Sequence, residues 1–324
     1  MIGIIVPAYN GERFLRATLE SVCAQSYEDW RLIAIDDGST DATPTIVNDY
    51  AGRDARIKLI RQSNGGVAAA RNRGLRAVPA GASTICFLDH DDVLEPHALR
   101  MLQSTLDAHP NAPAAHGVAF YIDENGRRVR RGELEAGTRN RLAIEGAGIR
   151  NVGIYEPTNF ACMAIFCNMT TPGQSLIRAE ALDHIGPLDL AVAPADDWDM
   201  WLRITGRPEY ACGVAFVDQE VLGFRMHGGN QSCNHANMAA AMLKVRRKHI
   251  ESTTLTREQR EMLRAGHSIA AREVARKRFR WAASSAARGH LLDAANHLRH
   301  AATQLSGSRM SVDGPRHPLA MSNR

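Results

Sequence analysis

The sequence lacks the long apolar runs, paired cysteines and strong net charge that mark several large protein classes. No window of the 324 residues approaches the roughly 20 apolar residues of a membrane-spanning helix, and the first apolar stretch is too short for a secretory leader. The six cysteines are scattered, without a C-x-x-C pair or a zinc-site spacing. A net charge of +4 is too small to indicate nucleic-acid binding. We therefore expect a cytoplasmic protein with reduced thiols, either soluble or on a membrane surface.

What is present is an alternation of short apolar segments with helical patterns. The segments 2–6, 30–35, 57–60 and 84–88 read as strands, and helix-like spacing of apolar residues separates them. This alternation predicts an α/β fold with a parallel, doubly wound sheet over residues 1 to about 105. Beyond about residue 236 the pattern is all-helical, which predicts a C-terminal helical extension.

The most informative segment is Asp89-His90-Asp91-Asp92, which directly follows the fourth apolar run. Carboxylates at the end of a parallel strand lie at the mouth of the sheet, where open α/β folds bind ligands. Asp89 and Asp91, two residues apart on an extended chain, are expected to project to one side and share a ligand. Crowded carboxylates repel one another unless a cation lies among them. The segment therefore predicts a site for a metal and a diphosphate.

Five other polar segments occur at comparable places along the chain. They are Pro7-Ala8-Tyr9-Asn10, Asp36-Asp37-Gly38-Ser39, Asn64-Gly65-Gly66 with Ala70-Arg71-Asn72, Asp196-Asp197-Trp198 and Arg225-Met226-His227. Each segment taken alone is also compatible with a strand stop, a turn, a helix cap or a solvated side chain. The functional interpretation rests on their occurring together and in order.

In this order and at these separations, the segments resemble the inverting glycosyltransferases of family 2, which have the GT-A fold. The resemblance implies a Rossmann-like, mixed and mainly parallel central sheet flanked by helices. The resemblance covers roughly residues 1–235. It implies metal-dependent transfer of a sugar from a nucleoside-diphosphate sugar, most simply UDP-linked, to an acceptor hydroxyl. It also implies a role in the synthesis of a cell-surface polysaccharide or glycolipid, with a glycan or a lipid-linked molecule as the acceptor.

The resemblance assigns roles to single residues. The donor-binding residues it implies are Pro7, Ala8, Tyr9, Asp36, Asp37, Asn64, Arg71, Asp89 and His90. His90 belongs to this set through its place in the D-x-D motif, although its orientation between the two aspartates favours packing over metal ligation. Asp91 and His227 correspond to ligands of Mn²⁺ or Mg²⁺. Asp197 corresponds to the general base, and Asp196 replaces the glutamate that the family has beside it.

Two other functions compete with this interpretation. A nucleotidyltransferase on a similar sheet would need a Gly-rich phosphate loop with a nearby Lys or Arg, and the residues after the first strand supply neither close by. A sugar-nucleotide-binding or scaffolding protein without turnover would keep the donor site. Retention of both Asp91 and Asp197 argues against that alternative.

The expected domain organisation is a catalytic domain over 1–235, a helical extension over 236–306 and a disordered tail over 307–324. The catalytic domain divides into a nucleotide-binding half (1–105) and an acceptor-binding half (106–235). Between Lys244 and Arg288 there are 13 Lys or Arg against 4 Glu. These basic helices suggest peripheral contact with the cytoplasmic face of a membrane; a solvated face or an oligomer contact explains them nearly as well.

Overall fold

The computed structural model of the protein describes residues 1–129, 141–145, 148–152, 157–165, 167, 169–230, 235–287, 295–296 and 298–299. The chain divides into two compact units, Met1–Leu263 and Arg264–Arg324. The central sheet and the cleft described below both belong to the first unit. The predicted disordered tail, 307–324, lies outside the described residues.

The described residues contain ten strands and nine α-helices. The strands are β1 (Ile2–Ala8), β2 (Trp30–Asp36), β3 (Ile57–Arg61), β4 (Thr84–Phe87), β5 (Val93–Leu94), β6 (Ala114–Ile122), β7 (Arg141–Glu145), β8 (Gly148–Val152), β9 (Ser175–Arg178) and β10 (Ala215–Arg225). The helices are α1 (Leu15–Cys23), α2 (Thr43–Ala51), α3 (Val67–Ala77), α4 (Ala98–Ala108), α5 (Phe160–Ile165), α6 (Ala179–Ile185), α7 (Asp196–Thr205), α8 (His235–Glu251) and α9 (Arg257–Ala287). Short 3₁₀ turns occupy Pro172–Gln174, Leu190–Val192 and Pro208–Tyr210.

Eight strands form one mixed sheet in the order β3-β2-β1-β4-β9-β6-β10-β5. The first four are parallel, as the alternation of strands and helices predicts. Strand β9 runs antiparallel to both neighbours, β6 and β10 are parallel, and β5 is an antiparallel edge strand. Strands β7 and β8 form a separate antiparallel pair. The predicted mixed, mainly parallel sheet is confirmed.

Both faces of the sheet are covered, because successive residues of a strand point to opposite sides. On one side, Ile4 of β1 joins a buried cluster with Leu19 of α1 and Leu102 of α4. On the other side, Ile5 joins a cluster with Phe87 of β4 and Trp198 of α7. The two cores hold the strand ends, and therefore the loops that follow them, in fixed positions.

Helix α3 approaches β1 closely at Gly74. A Cβ atom at Gly74 would lie 2.3 Å from Cγ2 of Ile5, so a larger residue would push the helix away from the sheet. The close approach fixes the position of α3 beside the strand. It thereby fixes Arg71, which lies three residues earlier on the same helix.

Strand β1 continues to Ala8, beyond the stop expected at Pro7. Pro7 pairs with Ile35 in the parallel register. The backbone N–H and C=O groups of residues i and i+2 of a strand point toward the same neighbouring strand. The Ile5 carbonyl accepts a hydrogen bond from the N–H of Leu88, so the backbone groups of Ile5 and Pro7 point toward β4. The β1–β4 ladder ends at Ile5, so the N–H that proline lacks faces no ladder partner.

The first compact unit extends to Leu263 and so includes α8, which the sequence assigns to a separate extension after residue 235. The reason is packing: Ala241 and Val245 of α8 are buried in the same core cluster as Trp198 of α7. The sequence pattern identifies α8 as a helix but does not identify the surface against which it packs.

Candidate active site

A cleft of about 700 Å³ opens where β1, β2 and β4 end. Its walls come from the loops after these strands, from the start of α3 and from segments around residues 170–172, 194–197 and 224–230. The predicted site residues that line the cleft are Pro7, Ala8, Tyr9, Asp37, Asn64, Arg71, Asp89, His90, Asp91, Asp197 and His227. The fold therefore gathers residues that are up to 220 positions apart in the chain into one ligand-sized space.

One end of the cleft carries Tyr9 and Asp37. Tyr9 is 48% exposed, which is unusual for a large aromatic residue beside a buried strand. The Asp37 carboxylate accepts hydrogen bonds from the side-chain amide of Gln62 (2.8 Å) and from the N–H groups of Gly65 (2.9 Å) and Gly66 (2.8 Å). Asp37 therefore ties the loop before α3 to the end of β2. Its contact with a nucleobase stays a prediction.

Asp36 is fully buried and does not line the cleft with Asp37. Its carboxylate accepts from the N–H of Ser39 at 3.0 Å and from Nε of Arg61 at 2.8 Å. Adjacent residues at a strand end point to opposite sides, which separates the two aspartates. In the structure Asp36 stabilises the strand-end turn, and its predicted contact with the donor stays a prediction.

The acidic segment after β4 lies in a turn, because the N–H of Asp92 donates to the carbonyl of Asp89 at 3.2 Å. Asp89 Oδ1 accepts from Nη2 of Arg71 at 2.7 Å. Asp91 Oδ2 lies 2.8 Å from Nε2 of His227. The extended geometry expected from the sequence is wrong here, because the segment is a turn and the two aspartates contact different side chains. That they share a ligand stays a prediction.

Asp91 and His227 form a pair, and each of the two side chains has a further neighbour in the cleft. Burial alone would raise the pKa of Asp91, but the hydrogen bond from His227 and the charges of His90 and His227 together lower it. The ring of Phe14 lies 4.7 Å from the imidazole of His227, and Nδ2 of Asn230 lies 3.5 Å from Asp91 Oδ2. Phe14 and Asn230 both line the cleft, and sequence reasoning missed both.

His90 combines a packing role with a place in the cleft wall. Its ring lies over Gly11, where a Cβ atom would be 2.4 Å from His90 Cδ2. The hydroxyl of Thr18 donates to the His90 carbonyl at 2.8 Å. The packing expected from the sequence is present, and the same side chain also lines the cleft.

Beneath the cleft, Asp92 and Arg225 join the turn after β4 to the end of β10. The N–H of Arg225 donates to Oδ1 of Asp92 at 3.0 Å, and its Nε donates to the carbonyl of Asp91 at 2.8 Å. Burial and the neighbouring carboxylates raise the pKa of Asp92 well above its ordinary value. These two hydrogen bonds hold Asp91 and His227 close to each other, and no spacing in the sequence predicts them.

Arg71 is buried and bridges the two acidic segments of the site. Its Nη2 donates to Asp89 at 2.7 Å, and its Nη1 donates to Asp196 at 2.9 Å. Burial alone would lower the pKa of Arg71, but the carboxylates of Asp89 and Asp196 raise it, so the guanidinium stays charged. Arg71 lines the cleft as predicted, and its direct contact with the nucleotide stays a prediction.

Asp197 lies in the first turn of α7, next to the Arg71–Asp196 ion pair. Its Oδ1 accepts from the N–H of Trp198 at 2.7 Å. Burial and the charge of Asp196 raise the pKa of Asp197 to about 7, although Arg71 opposes the shift. A carboxyl group with a pKa near neutrality exists in both protonation states under physiological conditions. Asp197 therefore has the property that a general base needs.

A divalent cation fits the Asp91–His227 pair by its donor chemistry. One carboxylate and one imidazole face the cleft together, and Mn²⁺ accepts both kinds of ligand. No group of three His, Cys, Asp or Glu side chains forms a complete metal site within the described residues. A cation held here would therefore take its remaining ligands from water and from a diphosphate, as Mg²⁺ and Mn²⁺ commonly do.

The chain matches the model of a known protein family. The family model described as "Glycosyl transferase family 2" matches residues 3–186, which is more than half of the chain. The chain belongs to glycosyl transferase family 2. The site residues from Pro7 to Asp91 lie within the matched range, whereas Asp197 and His227 lie beyond it.

Curated relatives match part of the chain. An uncharacterized glycosyltransferase of Bacillus subtilis (strain 168), EpsJ, is 38% identical over 129 residues, which is 40% of this chain and 36% of the relative. The minor teichoic acid biosynthesis protein GgaA of the same organism is 36% identical over 144 residues, which is 43% of this chain and 32% of the relative. The matches thus span about a third of the length of these relatives.

Solved structures share the fold over nearly the whole chain. S. aureus TarS 1–349 in complex with UDP-GlcNAc aligns with a TM-score of 0.60 at 16% identity, covering 97% of this chain and 95% of that one. The mannosyltransferase PcManGT from Pyrobaculum calidifontis, in complex with GDP-Man and Mn²⁺, aligns with a TM-score of 0.58 at 19% identity, covering 95% and 87%. The predicted GT-A fold is confirmed. None of the helices in the described part of the chain combines the length and the apolar character that a membrane span requires.

Proposed function

We propose that the protein is a metal-dependent inverting glycosyltransferase that moves a sugar from a nucleoside-diphosphate sugar to an acceptor hydroxyl. The observation that carries this proposal is Asp197, a partly buried carboxyl group in the cleft wall whose pKa is raised to about 7 by desolvation and by Asp196. It lines the same cleft as the Asp91–His227 pair. The cleft thus contains a base and, separately, a group suited to hold a diphosphate.

In the proposed reaction, Asp197 accepts the proton of the acceptor hydroxyl as that oxygen attacks the anomeric carbon. The new carbon–oxygen bond forms on one face of the sugar, and the bond to the diphosphate breaks on the other, so the configuration inverts. The transition state carries oxocarbenium character, as at other glycosyl centres. After the transfer, Asp197 holds the proton and the diphosphate carries the electron pair of the broken bond.

The donor is placed along the loops that follow β1, β2 and β4. Tyr9 and Asp37 lie where the base is expected, and Asp89 lies where the ribose or the transferred sugar is expected. Asp91 and His227 would hold Mn²⁺ or Mg²⁺. When bound, the metal supplies positive charge that offsets the charge of the departing diphosphate.

We propose UDP as the nucleotide part of the donor and a cell-surface polysaccharide or glycolipid as the product. Support for UDP comes from the shared fold of TarS, whose structure contains UDP-GlcNAc. Support for a surface polymer comes from the relative named for minor teichoic acid biosynthesis.

We also propose a cytoplasmic location, with peripheral membrane contact through the basic C-terminal helices. The location is supported by the reduced thiols of Cys23, Cys86, Cys167 and Cys212 in the described part of the chain. Much of the basic segment lies outside the described side chains. Co-sedimentation of the full chain with anionic vesicles but not with neutral ones would support the membrane contact, and equal pelleting with both would contradict it.

The experiment that tests the function combines binding with turnover. Titration calorimetry with UDP, with and without Mn²⁺, measures the donor site. UDP release from a panel of UDP-sugars with glycan acceptors measures transfer. We expect metal-dependent UDP binding, and turnover that Asp197→Asn lowers about 10²- to 10⁴-fold. Binding of UDP without turnover on any donor would favour the alternative, a sugar-nucleotide-binding or scaffolding protein.

A further inference from the structure

Helix α8 presents one face to the part of the molecule that contains Asp197. Met238, Ala241, Met242, Val245 and His249 are spaced by three or four residues and so share a face of the helix. Ala241 and Val245 are 3% and 0% exposed and belong to the core cluster that contains Trp198 of α7. Helix α8 is therefore a fixed neighbour of the helix that carries the base.

A buried ionic cluster connects the two helices. Asp199 of α7 is fully buried, and it accepts from Nζ of Lys248 at 2.7 Å and from Nε of Arg203 at 2.8 Å. Its Oδ1 lies 2.9 Å from Nε2 of His249, and Lys248 also contacts Asp189 at 2.8 Å. These five residues are the Asp199 cluster. Burial alone would raise the pKa of Asp199, but hydrogen bonds from His249 and Lys248 lower it to about 2, so the carboxylate is charged and fully engaged.

A second contact lies between the cluster and the base. The guanidinium of Arg246 lies over the ring of Trp198, 4.8 Å from its centroid, and Arg246 is 2% exposed. Trp198 directly follows Asp197, and its Nε1 donates to the carbonyl of Met163 at 2.9 Å. Helix α8 thus contacts the residue after the base as well as the residue two positions after it.

The same helix reaches the cleft through Met238. Met238 and Pro194 line the cleft together with Asp197, and both belong to segments beyond the matched family region, which ends at residue 186. An attacking hydroxyl must approach the sugar on the face opposite the diphosphate. Since Asp91 and His227 mark the diphosphate side, the wall beside Asp197 faces the acceptor.

We infer that α8 forms the acceptor wall of the cleft, with Met238 as a specificity-determining residue and the Asp199 cluster as a set of positioning residues. This inference rests on the proposed function. Met238 and Pro194 offer an apolar surface in the same cleft that Asp197 lines, which suits the C–H face of a sugar ring whose hydroxyl reaches Asp197. The acceptor class is therefore a glycan rather than a small charged molecule. The Asp199 cluster keeps this surface in register with the base.

The first test substitutes Met238. For Met238→Ala we expect an increase of about 10-fold in the KM for the acceptor, because an apolar contact of several atoms is lost. The Kd for UDP and the slow hydrolysis of the donor in the absence of acceptor should stay within about two-fold of wild type. Met238→Leu, which nearly conserves volume, should restore the acceptor KM. Met101→Ala, in α4 on the other face of the sheet, is the matched control and should change none of these values.

The second test substitutes Lys248. Lys248→Met removes the contacts to Asp189 and Asp199, and we expect kcat/KM for the acceptor to fall roughly 10- to 100-fold because the wall shifts relative to the base. Lys248→Arg should recover much of the loss. If Lys248→Met does not fold, the Met238 variants carry the test alone.

Different results would contradict the inference about α8 and the proposed function on which it rests. Variants that change the UDP Kd or donor hydrolysis as much as the acceptor KM would show that α8 has only a structural role, and an unchanged acceptor KM in Met238→Ala would overturn the inference. A wild-type protein that neither binds UDP nor releases it from any donor would instead contradict the proposed function.

Discussion

The chain carries two short acidic segments that reach the same cleft, Asp89–Asp92 after β4 and Asp196–Asp199 at the start of α7. In the first, the cleft-facing carboxylate of Asp91 meets an imidazole, and its pKa is lowered. In the second, the cleft-facing carboxyl of Asp197 bonds to a backbone N–H, and burial and Asp196 raise its pKa to about 7. The same side chain is thus suited to hold a cation in one place and to accept a proton in the other.

The difference shows that neighbouring groups decide the role of each aspartate. Arg71 connects the two segments, with one guanidinium nitrogen on Asp89 and another on Asp196. It forms ion pairs with both carboxylates, and the pKa of the neighbouring Asp197 is nevertheless raised to about 7. Substitutions that exchange or remove these neighbours test the comparison directly.

The largest effect is expected from Asp197→Asn, which removes the base and keeps the shape of the side chain. We expect the transfer rate to fall about 10²- to 10⁴-fold, the usual contribution of general-base catalysis. UDP binding should be unchanged, because Asp197 is proposed to contact the acceptor and not the diphosphate. Steady-state transfer and UDP calorimetry measure the two quantities. Asp183→Asn, at an exposed position on α6, is the matched control; a rate in Asp197→Asn close to that of the control would refute the assignment of the base.

Asp91→Asn is expected to act on the metal instead. Loss of even an outer-shell partner lowers metal affinity 10- to 100-fold, so removal of a direct ligand should weaken Mn²⁺ binding by at least about 100-fold. Calorimetry with Mn²⁺ in the presence of UDP measures this affinity. Asp107→Asn, exposed on α4, should bind Mn²⁺ as wild type does. Equal Mn²⁺ affinity in Asp91→Asn and wild type would exclude Asp91 as a ligand.

Arg71→Met removes the positive charge that connects the two segments. Because Arg71 lowers the pKa of Asp197, its removal should raise that pKa and move the acidic limb of the pH–rate profile upward. A rise of about one unit in the pKa of Asp197 would reduce the transfer rate at pH 7 roughly five-fold. The buried carboxylate of Asp196 and the partly exposed carboxylate of Asp89 also lose their partner, so the free energy of unfolding should fall by about 3–5 kcal/mol. Arg71→Lys keeps the charge, and its limb should stay near that of wild type; an upward shift in both variants would argue against the electrostatic explanation.

Asp196→Asn should give the smallest change, in the opposite direction. Asparagine can still accept from Nη1 of Arg71, but it removes the negative charge that raises the pKa of Asp197. The acidic limb should move to lower pH, so the rate at pH 6 should rise a few-fold relative to wild type while the rate at pH 8 stays the same. An unmoved limb would mean that burial alone sets the pKa of Asp197.

Much of this site could be predicted from the sequence because its residues follow strand ends. A parallel sheet brings the carboxyl ends of its strands to one edge, so Tyr9, Asp37 and Asp91 had to lie near one another once the strands were identified. Asp197 and His227 are far away in the chain, and only the resemblance to a family placed them in the site. The structure brings both to the cleft.

The partners of these residues could not be predicted, because they depend on side-chain packing between distant elements. No spacing or motif in the sequence predicts the contact of Phe14 with His227 or the Asp199 cluster. The same holds for the hydrogen bond from Arg225 to the carbonyl of Asp91. The sequence assigns α8 to a separate extension for the same reason, because its packing against distant elements is not visible in the sequence. Its helical period is visible in the sequence, but the buried carboxylate to which it docks is 49 residues from Lys248.

The most direct test of the account is the pH dependence of kcat/KM for transfer by the wild-type protein at saturating metal, from pH 5 to 9. Since Asp197 must be ionised to accept a proton, the rate should rise with pH through a single acidic limb whose midpoint lies near 7. The residual rate of Asp197→Asn should lack that limb. A wild-type rate that is independent of pH between 5 and 8, or a limb that persists in Asp197→Asn, would contradict the account.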